Sequence, residues 1–353
     1  MVYVDDFKMS GPKSNLAEGW EAIRQGIVTD DPKPVNKCLG CQHDVKTVNK
    51  GGVETTTVEY NMEDFLKQCV SSYLELAKLK EGDLSPVKTP FLDDSKFPDK
   101  DDIPGQGTLK DIAARVLMKI LYCARLARFD LLKAISNLAT KVTRWSKNCD
   151  KLLHQLVCYI QSTLKYRLTG IIGDKLKDVS LELFSDADFA GDKADSKSTS
   201  GVFLALKGPN TFFPLSACSK KQSCVSHSTP EAELVAANLA VRTEGLPALD
   251  LWGTVTGRKI MLTFKEDNQA AIQIIKNGRN PTLRHVNRTH RVNADWLTEV
   301  FRNDKQIKLV YCKTVDMAAD IFTKAFHNAV KLLPALSNLN MIDTGPLNLR
   351  PAM

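Results

Sequence analysis

No stretch of the 353 residues approaches the ~18 consecutive apolar residues of a membrane-spanning helix, so no membrane partner is expected. The N-terminus, MVYVDDFKMSGPK, has neither the basic start nor the apolar run of a secretion signal. An intracellular protein is expected, in a cytoplasmic particle or the nucleus. The nine cysteines form no disulfide-like framework, and in such a compartment they read as free thiols. Cys38 and Cys41 make one CxxC with His43 nearby. A structural zinc site needs a second ligand pair, and there is no second CxxC and no HxxxH, so zinc is not expected there. Glycine and proline are missing between Gly107 and Gly170, which excludes most tight turns and predicts a helical module.

What is present is a globular composition, 43% hydrophobic and 25% charged, long enough for two or three cores. The net charge of +7 is unevenly placed. Lys110–Ser180 holds 14 Lys and Arg against 5 Asp and Glu, and the remainder is slightly acidic. A concentrated positive segment suits a polyanion partner, although a solvated helix face has the same composition.

The order of patterns suggests an organisation. Residues 1–79 read as a hairpin (VYVDDFKMSG), a helix over Asn15–Gln25, a turn at Lys46–Gly52, a strand, and a periodic helix over Met62–Leu79. Residues 80–108 hold four prolines, three glycines and many charges, and read as an exposed, partly mobile linker. Residues 109–180 form the helical module, with Ile112, Val116, Ile120, Ala124 and Ala127 on its apolar face. Residues 181–333 change to mixed α/β. Three strands (LELFSDADFAG, SGVFLAL, TFFPLSACS) precede a helix over Pro230–Leu246. A fourth strand (KIMLTFKEDN), helices over Asn268–Asn277 and Arg288–Asn303, a fifth strand (IKLVYCKT) and a helix over Asp316–Leu333 follow. Residues 334–353 are a tail.

Four carboxylates occupy distinctive places in this order. Asp186 lies in the first of these strands, Glu233 in the first turns of the next helix, Asp267 at the end of the fourth strand, and Asp320 early in the last helix. Strand ends and helix starts on one sheet edge are where polar sites collect. Four converging carboxylates would repel unless cations neutralised them, and hard oxygen donors suit two Mg²⁺ or Mn²⁺ ions. Any single Asp or Glu could equally be a solvated surface charge. Asp188 and Glu231 are runners-up, and Asp188 projects to the same strand face as Asp186.

The motifs SDADFAGDKADSKSTSG, SKKQSCVSHSTPEAELVAA, EDNQAAI, RTHRV and AADIFTKAF stand in the order and spacing of one family. Residues 181–327 resemble the ribonuclease H (RNase H) domain of copia-type LTR retrotransposon Pol polyproteins. The resemblance implies an RNase H-like mixed five-stranded sheet with flanking helices, and cleavage of the RNA strand of an RNA–DNA hybrid. It implies Asp186, Glu233, Asp267 and Asp320 as catalytic metal ligands. Upstream, IAARVLMKILYCARLARFDLLKAISNLA and LLHQLVCYIQSTLKYRLTG resemble the thumb or connection segment before that domain. VYVDD resembles the YxDD hairpin of a reverse transcriptase palm, which would make Asp5 and Asp6 metal ligands too.

Two departures follow. A palm also needs an upstream carboxylate and fingers, and this chain starts two residues before Tyr3. The expectation is a C-terminal piece of a polyprotein, with a partial palm, no polymerase activity alone, and the missing reverse transcriptase portion as a possible partner. The loop YCKTVDMAAD also lacks the histidine that some RNase H enzymes carry there. Arg279, Arg284, Arg288 and Arg291 could bind hybrid phosphates or merely open an exposed helix. Ser198 and Thr199 could contact sugar or phosphate, or make a turn. His227 reads as local hydrogen bonding, and Trp252 and Trp296 as core. A catalytically decayed remnant that only binds nucleic acid is the alternative to an active nuclease.

Overall fold

The computed structural model describes residues 2–3, 6–34, 36–50, 52–93, 95, 97–192, 194–278, 283 and 285–345. The chain opens with a small hairpin, β1 (Val2–Tyr3) and β2 (Asp6–Phe7), in which Val2 pairs with Phe7. Helix α1 (Lys13–Arg24) buries none of its residues. Strands β3 (Lys37–Cys38), β4 (Cys41–Lys50) and β5 (Val53–Asn61) are antiparallel, and α2 (Glu63–Ala77) follows them and packs against the helices that come later in the chain. The turn expected at Lys46–Gly52 is shorter. Thr47 and Val48 stay in register with Thr56 and Thr55, so β4 runs to Lys50 and only the last residues reverse, with Gly52 at φ +84°.

The proline-rich segment is not uniformly exposed. Thr89 and Phe91 are buried, and Gln155 Nε2 donates to the Thr89 carbonyl at 2.8 Å. An apolar ring with hydrogen-bonded backbone on each side can be buried without periodic structure. Helices α3 (Lys110–Ala127), α4 (Leu132–Ala139) and α5 (Lys147–Ser162) follow. Helix α3 buries Val116, Leu117, Ile120 and Ala124, the stripe expected of an amphipathic helix. The helical module ends earlier than its lack of Gly and Pro suggested, because Tyr166–Ile172 forms strand β6. Pairing with β5 decided this: Thr56 to Tyr60 run antiparallel to Ile172 to Leu168.

Between α3 and α4 sits a buried ionic network. Arg128, 1% exposed, donates to both oxygens of Asp130 at 2.9 and 2.8 Å, and to the carbonyl and hydroxyl of Thr163 at 3.0 and 2.8 Å. Tyr159 Oη donates to Asp130 Oδ2 at 3.0 Å. These bonds tie the α3–α4 junction to the end of α5.

The α/β part begins with an antiparallel meander, β7 (Ser180–Asp188), β8 (Thr199–Gly208) and β9 (Thr211–Lys221). Helix α6 (Thr229–Ala240) starts where Ser228 caps it and Pro230 sits in its first turn. A π turn over Val241–Gly245 joins it without a break to α7 (Leu246–Thr256), so the helix expected to end at Leu246 runs on to Thr256. Strand β10 (Leu262–Glu266) runs parallel to β7. Helix α8 (Gln269–Asn277) is capped by Asn268. The helix expected over Arg288–Asn303 breaks into α9 (Val286–Thr289) and α10 (Ala294–Asn303), because Arg291 takes φ +56° and Asn293 caps a new helix. Strand β11 (Ile307–Tyr311) is parallel to β10. The helix expected over Asp316–Leu333 is two 3₁₀ turns, Thr314–Asp316 and Ala318–Phe322, with α11 (Ala329–Asn338) starting only after the Asn328 cap. Strand β12 (Met341–Asp343) pairs with β6.

Apart from the β1–β2 hairpin, the described strands join in one sheet, in the order β11-β10-β7-β8-β9-β6-β5-β4-β3, with β12 beside β6. Its centre is covered on both faces. Leu181, Leu183 and Leu204 pack against α6, α8 and α10, while Phe184, Phe203 and Ala205 face the core shared with α3–α5. Strand β8 is accordingly apolar without interruption from Val202 to Leu206. Among the described residues no helix is long and apolar enough to cross a membrane.

Candidate metal centre

The ends of β7 and β10, the start of α6 and the 3₁₀ turn Ala318–Phe322 meet at one place. Asp186, Asp267 and Asp320 each bring a carboxylate oxygen within 4.8 Å of the others. Glu233, Glu266 and Asp267 do the same, so Asp267 belongs to both groups. All four carboxylates singled out by sequence are therefore brought together, with a fifth, Glu266, that sequence reasoning missed. The signal was available: Leu262 and Phe264 point into the core, and period-two alternation puts Glu266 on the same inward side.

Local structure holds each group. Glu266, with no exposure, accepts from the Asn268 backbone N–H at 3.1 Å and from Ser185 Oγ at 3.2 Å. Asp267 accepts from Thr314 Oγ1 at 2.9 Å, and Asp186 accepts from Thr323 Oγ1. Lys324 Nζ stands 2.7 Å from Asp320 Oδ1 and 3.9 Å from Asp186 Oδ1. Glu233 Oε2 is buried with no hydrogen-bond partner. Asp186 pairs across with Gly201, where a side chain would lie 2.7 Å from the Ala319 carbonyl. Glycine at that place lets the Asp320 turn seat against β8.

Burial is the main electrostatic fact. It raises Glu233, with Glu266 and Asp186 adding repulsion, and it raises Glu266 well above the usual range. Asp186 is also raised by burial, against the pull of Lys324. Asp320 is pushed up to about 7 by burial and then by Asp186. Such a group cannot hold all its negative charge without a cation.

The other candidates lie elsewhere. Asp188 is taken by Lys133 Nζ at 3.0 Å and by the Thr199 backbone N–H, and the same Lys133 donates to Thr199 Oγ1 at 2.8 Å. Ser198 is buried and accepts from the Ala190 N–H at 3.1 Å. Both hydroxyls of this run thus have partners inside the protein. Glu231 meets His285 and His290 instead of the centre. Arg288 and Arg291 are exposed, while Arg279, Arg284 and Asp5 lie outside the described residues, as does the side chain of Asp6. Trp252 and Trp296 pack against the second core. Cys38 and Cys41 are free thiols on facing strand positions. Several cations of the Lys110–Ser180 segment are neutralised within the fold: Arg128 by Asp130, Arg167 by Glu63 at 2.7 Å, and Lys151 by Asp101 at 2.7 Å.

Fold and site together define an α/β protein with a buried acidic centre built from four separate segments of chain. No family model matches the sequence. It is 28% identical over 339 residues to the Retrovirus-related Pol polyprotein from transposon TNT 1-94 of Nicotiana tabacum, covering 92% of this chain and 23% of that protein. It is 29% identical over 214 residues to the Pol polyprotein from transposon RE1 of Arabidopsis thaliana, covering 57% of this chain and 13% of that one. It is also 31% identical over 140 residues to Secreted RxLR effector protein 161 of Plasmopara viticola, covering 40% of this chain and 89% of the effector. These matches support a fragment of a copia-type, retrovirus-related Pol polyprotein. It spans less than a quarter of the length of those polyproteins.

Proposed function

We propose that the chain is a metal-dependent endonuclease that cleaves the RNA strand of an RNA–DNA hybrid. The observation that carries this reading is the overlap of the two carboxylate groups at Asp267. Two divalent ions ~3.5–4 Å apart must share a ligand, and a carboxylate common to both groups supplies one. The sheet supports it as well. Strands β9-β8-β7-β10-β11 lie in the order third, second, first, fourth, fifth, with the first three antiparallel and the last two parallel. That order agrees with the mixed five-stranded sheet that the resemblance to an RNase H domain implies.

The residues fit the ions. All the donors are carboxylate oxygens, the set preferred by Mg²⁺ and Mn²⁺. Glu233 Oε2 is a buried acceptor lacking a donor, and Lys324 already places a positive charge against Asp320 and Asp186. Asp186, Asp267 and Asp320 would hold one ion, and Glu233, Glu266 and Asp267 the other. When bound, the ions stabilise the attacking and leaving oxygens of a phosphodiester displacement. Thr323 and Thr314 orient Asp186 and Asp267, and Ser185 with the Asn268 N–H orients Glu266.

The test is the full chain incubated with a hybrid labelled on its RNA strand. Cleavage of that strand in Mg²⁺ or Mn²⁺, abolished by a chelator, is expected. No cleavage with either ion would make the chain a remnant that at most binds nucleic acid.

The raised carboxylates give a second expectation, for stability. Asp320 ionises near 4 when unfolded and at about 7 when folded. Its proton is therefore held more tightly by the folded state. The stability present below about pH 4 is lost as pH rises through about 7, a loss of a few kcal/mol. The thermal midpoint of metal-free protein should fall between pH 5 and 8. Mg²⁺ or Mn²⁺ at pH 8 should raise it by several degrees, since the ions bind the folded state. A flat pH profile together with no ion effect would refute this electrostatic account.

A further inference from the structure

Helix α6 carries a second glutamate that the centre does not use. Glu231 lies in its first turn, two residues before Glu233, with no exposure. Its Oε1 is 3.1 Å from Nε2 of His285 and 3.1 Å from Nε2 of His290. Its Oε2 accepts from the His227 backbone N–H at 2.9 Å. The His227 ring stands edge-on to His285, with centroids 5.2 Å apart. The His290 side chain is 1% exposed, and its Nε2 lies within ion-pair distance of Glu231, while neither ring nitrogen makes a hydrogen bond; the hydrogen bond to Glu231 comes from His285. Cys224 Sγ donates to the Thr289 carbonyl at 2.9 Å. On the same segment Leu283, Val286 and Val292 are buried in the second core. Its apolar side chains and the His290 imidazole thus face inward, His285 is half-exposed, and Arg288 and Arg291 are left exposed. Arg291 takes φ +56°, a conformation that an arginine adopts only where its neighbours hold it.

We propose that Glu231, His285 and His290 form a clasp that positions Arg288 and Arg291 beside the carboxylate centre, where they seat the phosphates of a nucleic acid strand. A fully buried carboxylate is costly without donors, so separating α6 from the arginine segment would leave Glu231 with only the His227 N–H. Glu233 is two residues along the same helix and projects to its other side, so the clasp joins the arginine segment to the helix that carries a ligand of the centre. An arginine held in place before binding loses less freedom when it meets a phosphate. These are positioning residues. The proposal rests on the nuclease reading for the reaction served, whereas phosphate seating is a binding property and can be read by itself.

The experiment measures the affinity of the full chain for a labelled hybrid without divalent ions, and KM and kcat with Mg²⁺. His285→Ala and His290→Ala should each weaken affinity about tenfold and raise KM in parallel, with kcat within about twofold. His285→Gln, which keeps a donor to Glu231, should recover most of the loss. Removing Arg288 and Arg291 together should reproduce the loss and add little in the His290→Ala background. Should His290→Ala fail to fold, the half-exposed His285 carries the comparison. Unchanged affinity in the folded variants overturns the clasp, as does a fall in kcat at constant affinity. One equivalent of zinc in the purified protein also overturns it, since the three side chains would then be ligands. A wild-type chain that binds hybrid without cutting it defeats the nuclease reading alone, and the affinities still decide the clasp. A wild type that binds no hybrid defeats the clasp as well.

Discussion

Asp267→Asn is expected to slow hybrid cleavage by roughly a thousandfold or more, equivalent to about 4 kcal/mol of barrier, while hybrid affinity changes little. Asp267 is the carboxylate common to both groups, so its loss weakens both ion positions at once. Asparagine has the same shape and can still accept from Thr314 Oγ1, which now stands 2.9 Å away. The fold should therefore persist. Removing one negative charge from five crowded carboxylates should leave the thermal midpoint of the metal-free protein unchanged or higher. Binding draws on lysine and arginine and should survive. Cleavage rates of wild type and variant, measured side by side in Mg²⁺ and Mn²⁺, check this. Equal rates would show that the carboxylates are ordinary charges and that the chain does not cut.

Arg128→Met should cost about 3–5 kcal/mol of stability, among the largest effects of any single change outside the centre. The methionine fills much of the space, so packing is not the main loss. Asp130, fully buried, would lose both guanidinium bonds and keep only Tyr159 Oη. The Thr163 carbonyl would lose its donor too. Changing Asp130 to Asn in the same protein should recover a large part of the loss, because the stranded charge disappears. Denaturant midpoints of the two variants measure this. A single variant within about 1 kcal/mol of wild type would show that water reaches Asp130 and that the network contributes little.

The centre was unusually legible because its residues recur in short motifs whose order is the order of the strands and helices. Asp186 and Asp267 sit at the ends of strands whose apolar alternation is plain, and Glu233 follows a serine cap and a first-turn proline. Glu266 was not singled out, although its inward position follows from Leu262 and Phe264. Asp320 was expected at the start of a long helix. The five buried residues Ala318–Phe322, pressed against β8 at Gly201, hold that stretch as a tight turn instead. Helix propensity in a short segment is worth tenths of a kcal/mol per residue, and contacts on both sides outweigh it.

Sequence by itself determined the five strands of the α/β part, four of the five carboxylates that meet, and the absence of any membrane-spanning run. Those follow from periodicities of two and 3.6 residues and from capping residues, which are local properties. Tertiary structure decided the rest. Tyr166–Ile172 is a strand because β5 and β12 offer it hydrogen bonds, although no Gly or Pro interrupts the helical stretch before it. Asp188 leaves the centre because Lys133, 55 residues away in the chain, reaches it from another helix. Glu231 meets two histidines of a distant segment that no motif ties to it. In each case the deciding partner is remote in sequence, and a buried charge or an unpaired backbone group takes whichever donor the packed fold brings within reach.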